Sequence, residues 1–258
     1  MSKLEELAQK LYDAYKNNQP MDMKECEGIL DDYGSAYAVQ DMVIEKKGSP
    51  VLGYKISLTS KTTQDMFYSK EPLYGQQIGS RIVNAPCTID RSTLNEPLIE
   101  IELVMVPKVD LHSGMTDDEL LDSVTVAGDM EIPDARFKNW FPALHRYLVV
   151  ADCAVGGYIV CGKPVDGKEL TVEGLNKIHV ELTHNGKVIR EGDSSEVLDN
   201  PIHALKWLVE ALARKNRVLK AGTKVSTGTF FVPPHLEKGS YNAHFTGALS
   251  QDVSITVA

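Results

Sequence analysis

Pro97-Leu98-Ile99-Glu100-Ile101-Glu102-Leu103-Val104-Met105-Val106 is an aliphatic run interrupted by two carboxylates. Residues of this kind, opened by a proline, suit a strand that is buried on at least one face. Side chains at i and i+2 of a strand share a face, so Glu100 and Glu102 are neighbours. Two unpaired carboxylates in apolar surroundings repel, and one is driven to take a proton. A divalent cation resolves that conflict, and oxygen-only ligands suit Mg2+, Mn2+ or Ca2+. In most proteins an E-x-E on a strand simply faces water, so the pair needs support from elsewhere. Glu131 in Gly128-Asp129-Met130-Glu131-Ile132-Pro133 offers it. This acid follows a polar connector and precedes a proline that would end a short extended segment. Asp134, just beyond, competes for the same role. Three carboxylates from two segments would leave open metal positions for water and a bidentate substrate.

Working outward, Gly53-Tyr54-Lys55-Ile56-Ser57-Leu58 puts a lysine inside an apolar strand, where an ammonium is costly unless paired. Lys55 could hold a substrate carboxylate or carry a proton. It could equally be an edge-strand charge that discourages aggregation. Other chemistries find little support. The histidines lack metal-ligand spacing. Ser226-Thr227-Gly228-Thr229 is neither a phosphate loop nor a nucleophile elbow, and Gly156-Gly157 lacks the dinucleotide fingerprint. No nucleophile with a convincing base emerges, so covalent catalysis is not expected.

Around these motifs the chain changes character once. Leu4, Leu7, Leu11 and Ala14, then Ala36, Val39, Met42 and Val43, recur at helical spacing, which predicts two amphipathic helices within residues 1–45. Residues 46–258 read as a β-rich core, with strands in VLGYKISL, LIEIELVMV, KIHVELTH and VSITVA. Asn185-Gly186 marks a tight hairpin. A capped helix is expected from Asp199 or Asn200 with Pro201 in its first turn, and a shorter one over Thr116 to Val124. Strands and helices do not alternate regularly, so the class is α+β, not a doubly wound parallel sheet.

Composition bounds the function. The chain has 258 residues, 43% apolar and 24% charged, enough to bury a core without disulfide or metal staples. Lys+Arg total 27 against 36 Asp+Glu, a net charge of −9, which argues against a broad nucleic-acid or anionic-membrane surface. The four cysteines fit buried free thiols. The opening MSKLEELAQKLYDAYKNN has no apolar core of a secretory signal, and no run is long enough to span a bilayer. A cytoplasmic protein is expected.

Taken in order, GYKISLTS, PLYG, PLIEIELVMV, MEIPDARF, VADCAVGG and NPIHALKWLVEAL…LKAGTKVSTGTF resemble one group of the fumarylacetoacetate hydrolase superfamily. That group comprises the 2-oxo-4-pentenoate hydratases and 4-oxalocrotonate decarboxylases of aromatic meta-cleavage pathways. The likeness runs from about Ala36 to the C-terminus, and the N-terminal helices fit it too. It implies a mixed β-roll core and a divalent-metal-dependent lyase acting on short 2-oxo or 2-hydroxydienoate acids, with Mg2+ or Mn2+ as cofactor. It maps the metal ligands onto Glu100, Glu102 and Glu131, the active-site lysine onto Lys55, and substrate contacts onto Tyr74, Asp152 and Thr227. It also implies a homo-oligomer or a complex with a paralogous lyase. Four positions in three segments depart from the pattern. Leu73 stands where hydratases carry Asp, Cys153 and Val155 stand in the A-D-N-x-S segment, and Ser240 follows Gly239 in place of Asp. An aliphatic residue at position 73 favours decarboxylation over hydration, which needs positioned proton donors and acceptors. An acylpyruvate-type C–C hydrolase on the same fold would need a histidine-activated water, and no histidine occurs in the first 111 residues. A non-catalytic 2-oxo-acid-binding subunit is the third reading.

Overall fold

The computed structural model describes residues 2–258; Met1, the first residue of the expected N-terminal segment, lies outside the described residues. The helices are α1 (Lys3–Asn17), α2 (Tyr33–Lys47), α3 (Lys61–Met66), α4 (Asp117–Asp122), α5 (Arg146–Ala151), α6 (Val172–Leu175) and α7 (Pro201–Ala213). The strands are β1 (Val51–Ser57), β2 (Leu73–Ile78), β3 (Ile82–Asn84), β4 (Cys87–Ile89), β5 (Glu100–Pro107), β6 (Val124–Ile132), β7 (Tyr158–Cys161), β8 (Val165–Asp166), β9 (His179–His184), β10 (Lys187–Asp193), β11 (Lys224–Ser226), β12 (Gly239–Thr246) and β13 (Gln251–Val257).

Local chemistry accounts for the element ends. Ser2 and Glu5 form a capping box at the start of α1, and Thr116 and Glu119 do the same for α4. The Asn200 side chain accepts from the Ile202 N–H at the start of α7, with Pro201 in the first turn. Asn185 and Gly186, both at positive φ, turn β9 into β10.

Two mixed sheets result. The larger runs β2-β1-β11-β5-β6-β7-β3, with β8 on β6, and the smaller runs β10-β9-β12-β13-β4. Pairing is mainly antiparallel, but β1–β11, β3–β7 and β4–β13 are parallel. The expected α+β class with a mixed β core is what the chain adopts. The sheets meet where the Phe245 ring lies over Gly128. A Cβ on Gly128 would sit 2.5 Å from that ring, so only glycine lets the smaller sheet approach β6.

One core cluster joins β5, β6 and the smaller sheet to α7 through residues such as Ile101, Val126, Leu205, Leu208 and Phe245. A second cluster seats α1 and α2 on β2 and α5, with Leu7, Leu11, Val39 and Val43 packed among Leu73, Leu148 and Val150. Buried Gln40 locks that seat. Its Nε2 donates to the Tyr74 and Val150 carbonyls at 3.1 and 2.6 Å, and its Oε1 accepts from the Gln76 N–H at 3.0 Å. All four cysteines are free thiols. Among the described residues no helix is long and apolar enough to cross a membrane.

Candidate active site

Strand register builds a block of four carboxylates. In the antiparallel β5–β6 pair Glu100 lies opposite Glu131, and Glu102 lies opposite Asp129. Opposed residues and i, i+2 neighbours share a face, so all four side chains converge. Glu131 therefore does not follow a polar connector: Gly128 and Asp129 are interior residues of a nine-residue strand. One oxygen from each of Glu100, Glu102 and Glu131 lies within 4.8 Å of the others.

Lys55 arrives from β1, which lies between β2 and β11 and is no sheet edge. Its Nζ is 2.5 Å from Glu131 Oε2 and 3.8 Å from Glu100 Oε2, and its side chain is 1% exposed. The anti-aggregation reading is thereby removed. Burial works against the ammonium, but Glu131 and Glu100 outweigh it, and the net shift of Lys55 is upward. Burial drives Glu102 well above the usual carboxylate range, with Glu100 and Asp129 adding repulsion. Burial also raises Glu131, opposed by Lys55 and reinforced by Glu100.

A further layer orients Glu102. Its Oε2 accepts from the Ser226 hydroxyl and from the Gly228 N–H, both at 2.6 Å. Ser226 Oγ is also in hydrogen-bond contact with Asp129 Oδ2. A hydroxyl has one proton to give. If Ser226 donates it to Glu102, Asp129 carries a proton and donates to Ser226. Burial accordingly pushes Asp129 up to about 7. Sequence reasoning missed Asp129 and Ser226. The signal for Asp129 was present, since it sits two residues before Glu131 in the same i, i+2 relation as Glu100 and Glu102. Gly128 disguised it as part of a turn.

Among the described residues Asp129 Oδ1 and Glu131 Oε1 have no hydrogen-bond partner. Crowded, buried carboxylates with free oxygens and a single ammonium between them fit a hard dication, which takes oxygen ligands.

The cluster borders a narrow cavity of about 50 Å³, which Lys55, Glu100 and Glu102 line together with Thr59 and Thr229. Tyr74, Asp152 and Thr227 do not line it. Tyr74 is registered with Ile56, one residue away from Lys55, and so leaves the sheet by the other face. There it stacks on Tyr37 at 4.5 Å between centroids. Asp152 caps α5 and takes the Arg136 Nε at 2.6 Å and the Arg136 N–H at 2.9 Å, so it is committed to an internal ion pair. The Thr227 hydroxyl donates to the Leu103 carbonyl at 2.9 Å. Their chain neighbours Val155 and Thr229 reach the cavity instead. Asp134 accepts from the Asn95 and Glu96 N–H groups and stays outside the cluster. Leu73 is fully buried among the residues that seat α2 and does not touch the cavity.

No family model matches the chain. Among curated proteins it is 27% identical over 256 residues to a 2-keto-4-pentenoate hydratase of Paraburkholderia phymatum, covering 95% of each chain. It is 28% identical over 222 residues to a 4-oxalocrotonate decarboxylase of Pseudomonas sp. (strain CF600), covering 82% of each. Among solved structures, the 4-oxalocrotonate decarboxylase of Pseudomonas putida G7, complexed with magnesium and adipate, superposes with a TM-score of 0.89 at 24% identity, covering 99% of this chain and 97% of that one. A yeast fumarylacetoacetate hydrolase family protein matches with a TM-score of 0.58 at 15% identity, over 82% of this chain and 93% of its own. The chain therefore has the fold of the solved 4-oxalocrotonate decarboxylase and fumarylacetoacetate hydrolase family proteins, and its sequence is similar to 2-keto-4-pentenoate hydratases and a 4-oxalocrotonate decarboxylase.

Proposed function

We propose that the chain is a divalent-metal-dependent lyase of the hydratase and decarboxylase group, acting on short 2-oxo or 2-hydroxydienoate acids. The observation that carries this reading is the convergence of Glu100, Glu102 and Glu131 within 4.8 Å, beside buried Lys55, at the polar end of an otherwise largely apolar cavity. In this reading the three glutamates hold Mg2+ or Mn2+. When bound, the ion supplies Lewis-acid stabilisation of the negative charge that develops on the oxygens of a 2-oxo acid.

The chain's own groups do the rest. Ser226 and the Gly228 N–H hold one oxygen of Glu102 and so aim the carboxylate at the cluster. Lys55 Nζ, fixed by Glu131 and Glu100, orients the substrate carboxylate and carries a proton at the edge of the cavity. Leu98, Trp140 and Val155 exclude water from the reacting atoms. Position 73 does not choose between hydration and decarboxylation, because Leu73 does not reach the cavity, so the proposal covers both. The hydrolase reading gains nothing, since no histidine is among the described lining residues. An oligomer, of this chain alone or with a paralogous lyase, belongs to the same proposal and would be tested by sedimentation.

Mn2+ titrated into metal-free protein and followed by electron paramagnetic resonance should bind stoichiometrically. Glu102→Gln should lose that binding while keeping the native circular dichroism. With Mg2+ or Mn2+ present, the native chain should consume a dienoate or release CO2 from a diacid. Tight Mn2+ binding that survives in Glu102→Gln would refute the proposal.

A further inference from the structure

The charge census of the cavity is one-sided. Lys55 is the only cationic side chain among the described residues that line it, and it already faces Glu131 and Glu100. Beside the neutral hydroxyl residues Ser57, Thr59, Thr63 and Thr229, the wall carries Phe67, Trp140, Phe141, Val149 and Val155, which belong to or pack on the hydrophobic cluster on which α1 and α2 sit. The other buried cation, Arg136, does not line the cavity. Its Nε bonds Asp152 at 2.6 Å, its Nη1 the Gly156 carbonyl at 2.8 Å and its Nη2 the Asp152 carbonyl at 3.1 Å.

Those bonds clamp an unusual turn. Cys153, Ala154 and Val155 have φ of 55, 53 and 51°, the left-handed region that a β-branched side chain enters only under constraint. Gln77 adds a bond to the Cys153 carbonyl at 3.1 Å. What this constrained turn delivers to the cavity is the isopropyl group of Val155.

We infer that the site selects 2-oxo monoacids with an apolar tail and discriminates against diacids, with Val155 as a specificity-determining residue. The inference rests on the 2-oxo-acid reading above and narrows it to the hydration half, because decarboxylation requires the diacid. With the oxo-acid head at the glutamates and Lys55, the tail runs along Phe141, Val149 and Val155. A methylene gains from burial there. A second carboxylate would leave water for a wall with no counter-ion.

The test is calorimetry on the Mn2+-loaded protein with 2-oxohexanoate and 2-oxoadipate, which share a chain length and differ in the terminal carboxylate. The monoacid should bind about tenfold tighter or more, a gap of about 1.4 kcal/mol or more. Val155→Lys puts an ammonium on the wall and should close or reverse that gap. Phe141→Lys, at a half-buried position, serves if the first variant does not fold. Equal or tighter binding of 2-oxoadipate by the native protein overturns this inference alone. An unchanged ratio in a folded lysine variant overturns the placement of the tail. If neither acid binds while Mn2+ does, the 2-oxo-acid reading falls with it.

Discussion

Replacing Lys55 by Met keeps the stem volume and takes the ammonium from its places 2.5 Å from Glu131 and 3.8 Å from Glu100. The side chains of Lys55 and Glu131 are each 1% exposed, so water cannot substitute for the lost charge. Removing one partner of a buried ion pair costs about 3–5 kcal/mol. Glu131 limits the damage. Burial already raises its proton affinity, and left unpaired it takes up a proton, so the lower end, about 3 kcal/mol, is expected near pH 7. At about 2–4 °C per kcal/mol for a chain of this size, the metal-free protein should melt roughly 6–12 °C lower. The pH dependence has a definite sign. A lysine whose folded pKa lies above its ordinary 10.5 contributes stability at all lower pH and loses it only as pH rises past the folded value. The difference should therefore persist through neutral pH and shrink as pH rises past the folded value, where Lys55 gives up its proton. Excess Mn2+ should recover part of the loss, since saturation at a hundredfold over Kd adds about 2.7 kcal/mol. Differential scanning fluorimetry with chelator and with Mn2+, beside a turnover assay, measures both halves. A metal-free variant melting within about 2 °C of the native protein would refute the coupled cluster. Full turnover by the variant would refute the role of Lys55.

Glu102, its carboxyl raised by burial and by Glu100 and Asp129, destabilises the fold above its ordinary pKa of 4.5, increasingly as pH climbs. Metal-free Glu102→Gln should thus be more stable than the native chain at mildly alkaline pH, an advantage that fades on acidification towards 4.5; melting curves in chelator showing a pH-independent gap would contradict it. Gln40→Leu strands the Tyr74 and Val150 carbonyls and the Gln76 N–H, and urea unfolding should register a loss of about 3 kcal/mol. Leu73→Asp buries an unpaired carboxylate among the residues that seat α2, at about 3 kcal/mol or more. It should not raise hydration, and a folded, faster-hydrating variant would show that position 73 does reach the substrate.

The amino-acid order by itself determined whatever depends on periodicity and local bonding. Helix caps at Ser2, Thr116 and Asn200, the Asn185-Gly186 turn and the pairing of Glu100 with Glu102 on one face involve residues a few positions apart. The motif order carried the family resemblance for the same reason, since it is a property of the string. Register was decided only in three dimensions. Lys55 was equally an edge charge or a buried ion until β11 came to lie beside β1, and Asp129 looked like part of a turn until it stood opposite Glu102. Tyr74, Asp152 and Thr227 read as substrate contacts because their motifs are right. A step of one residue along a strand exchanges faces, and Asp152 found its partner, Arg136, sixteen residues earlier in the chain. Val155 is the sharpest case. Nothing in Ala151-Asp152-Cys153-Ala154-Val155 announces a left-handed turn, because its conformation is imposed by Arg136 and Gln77, which reach it only once the chain has folded.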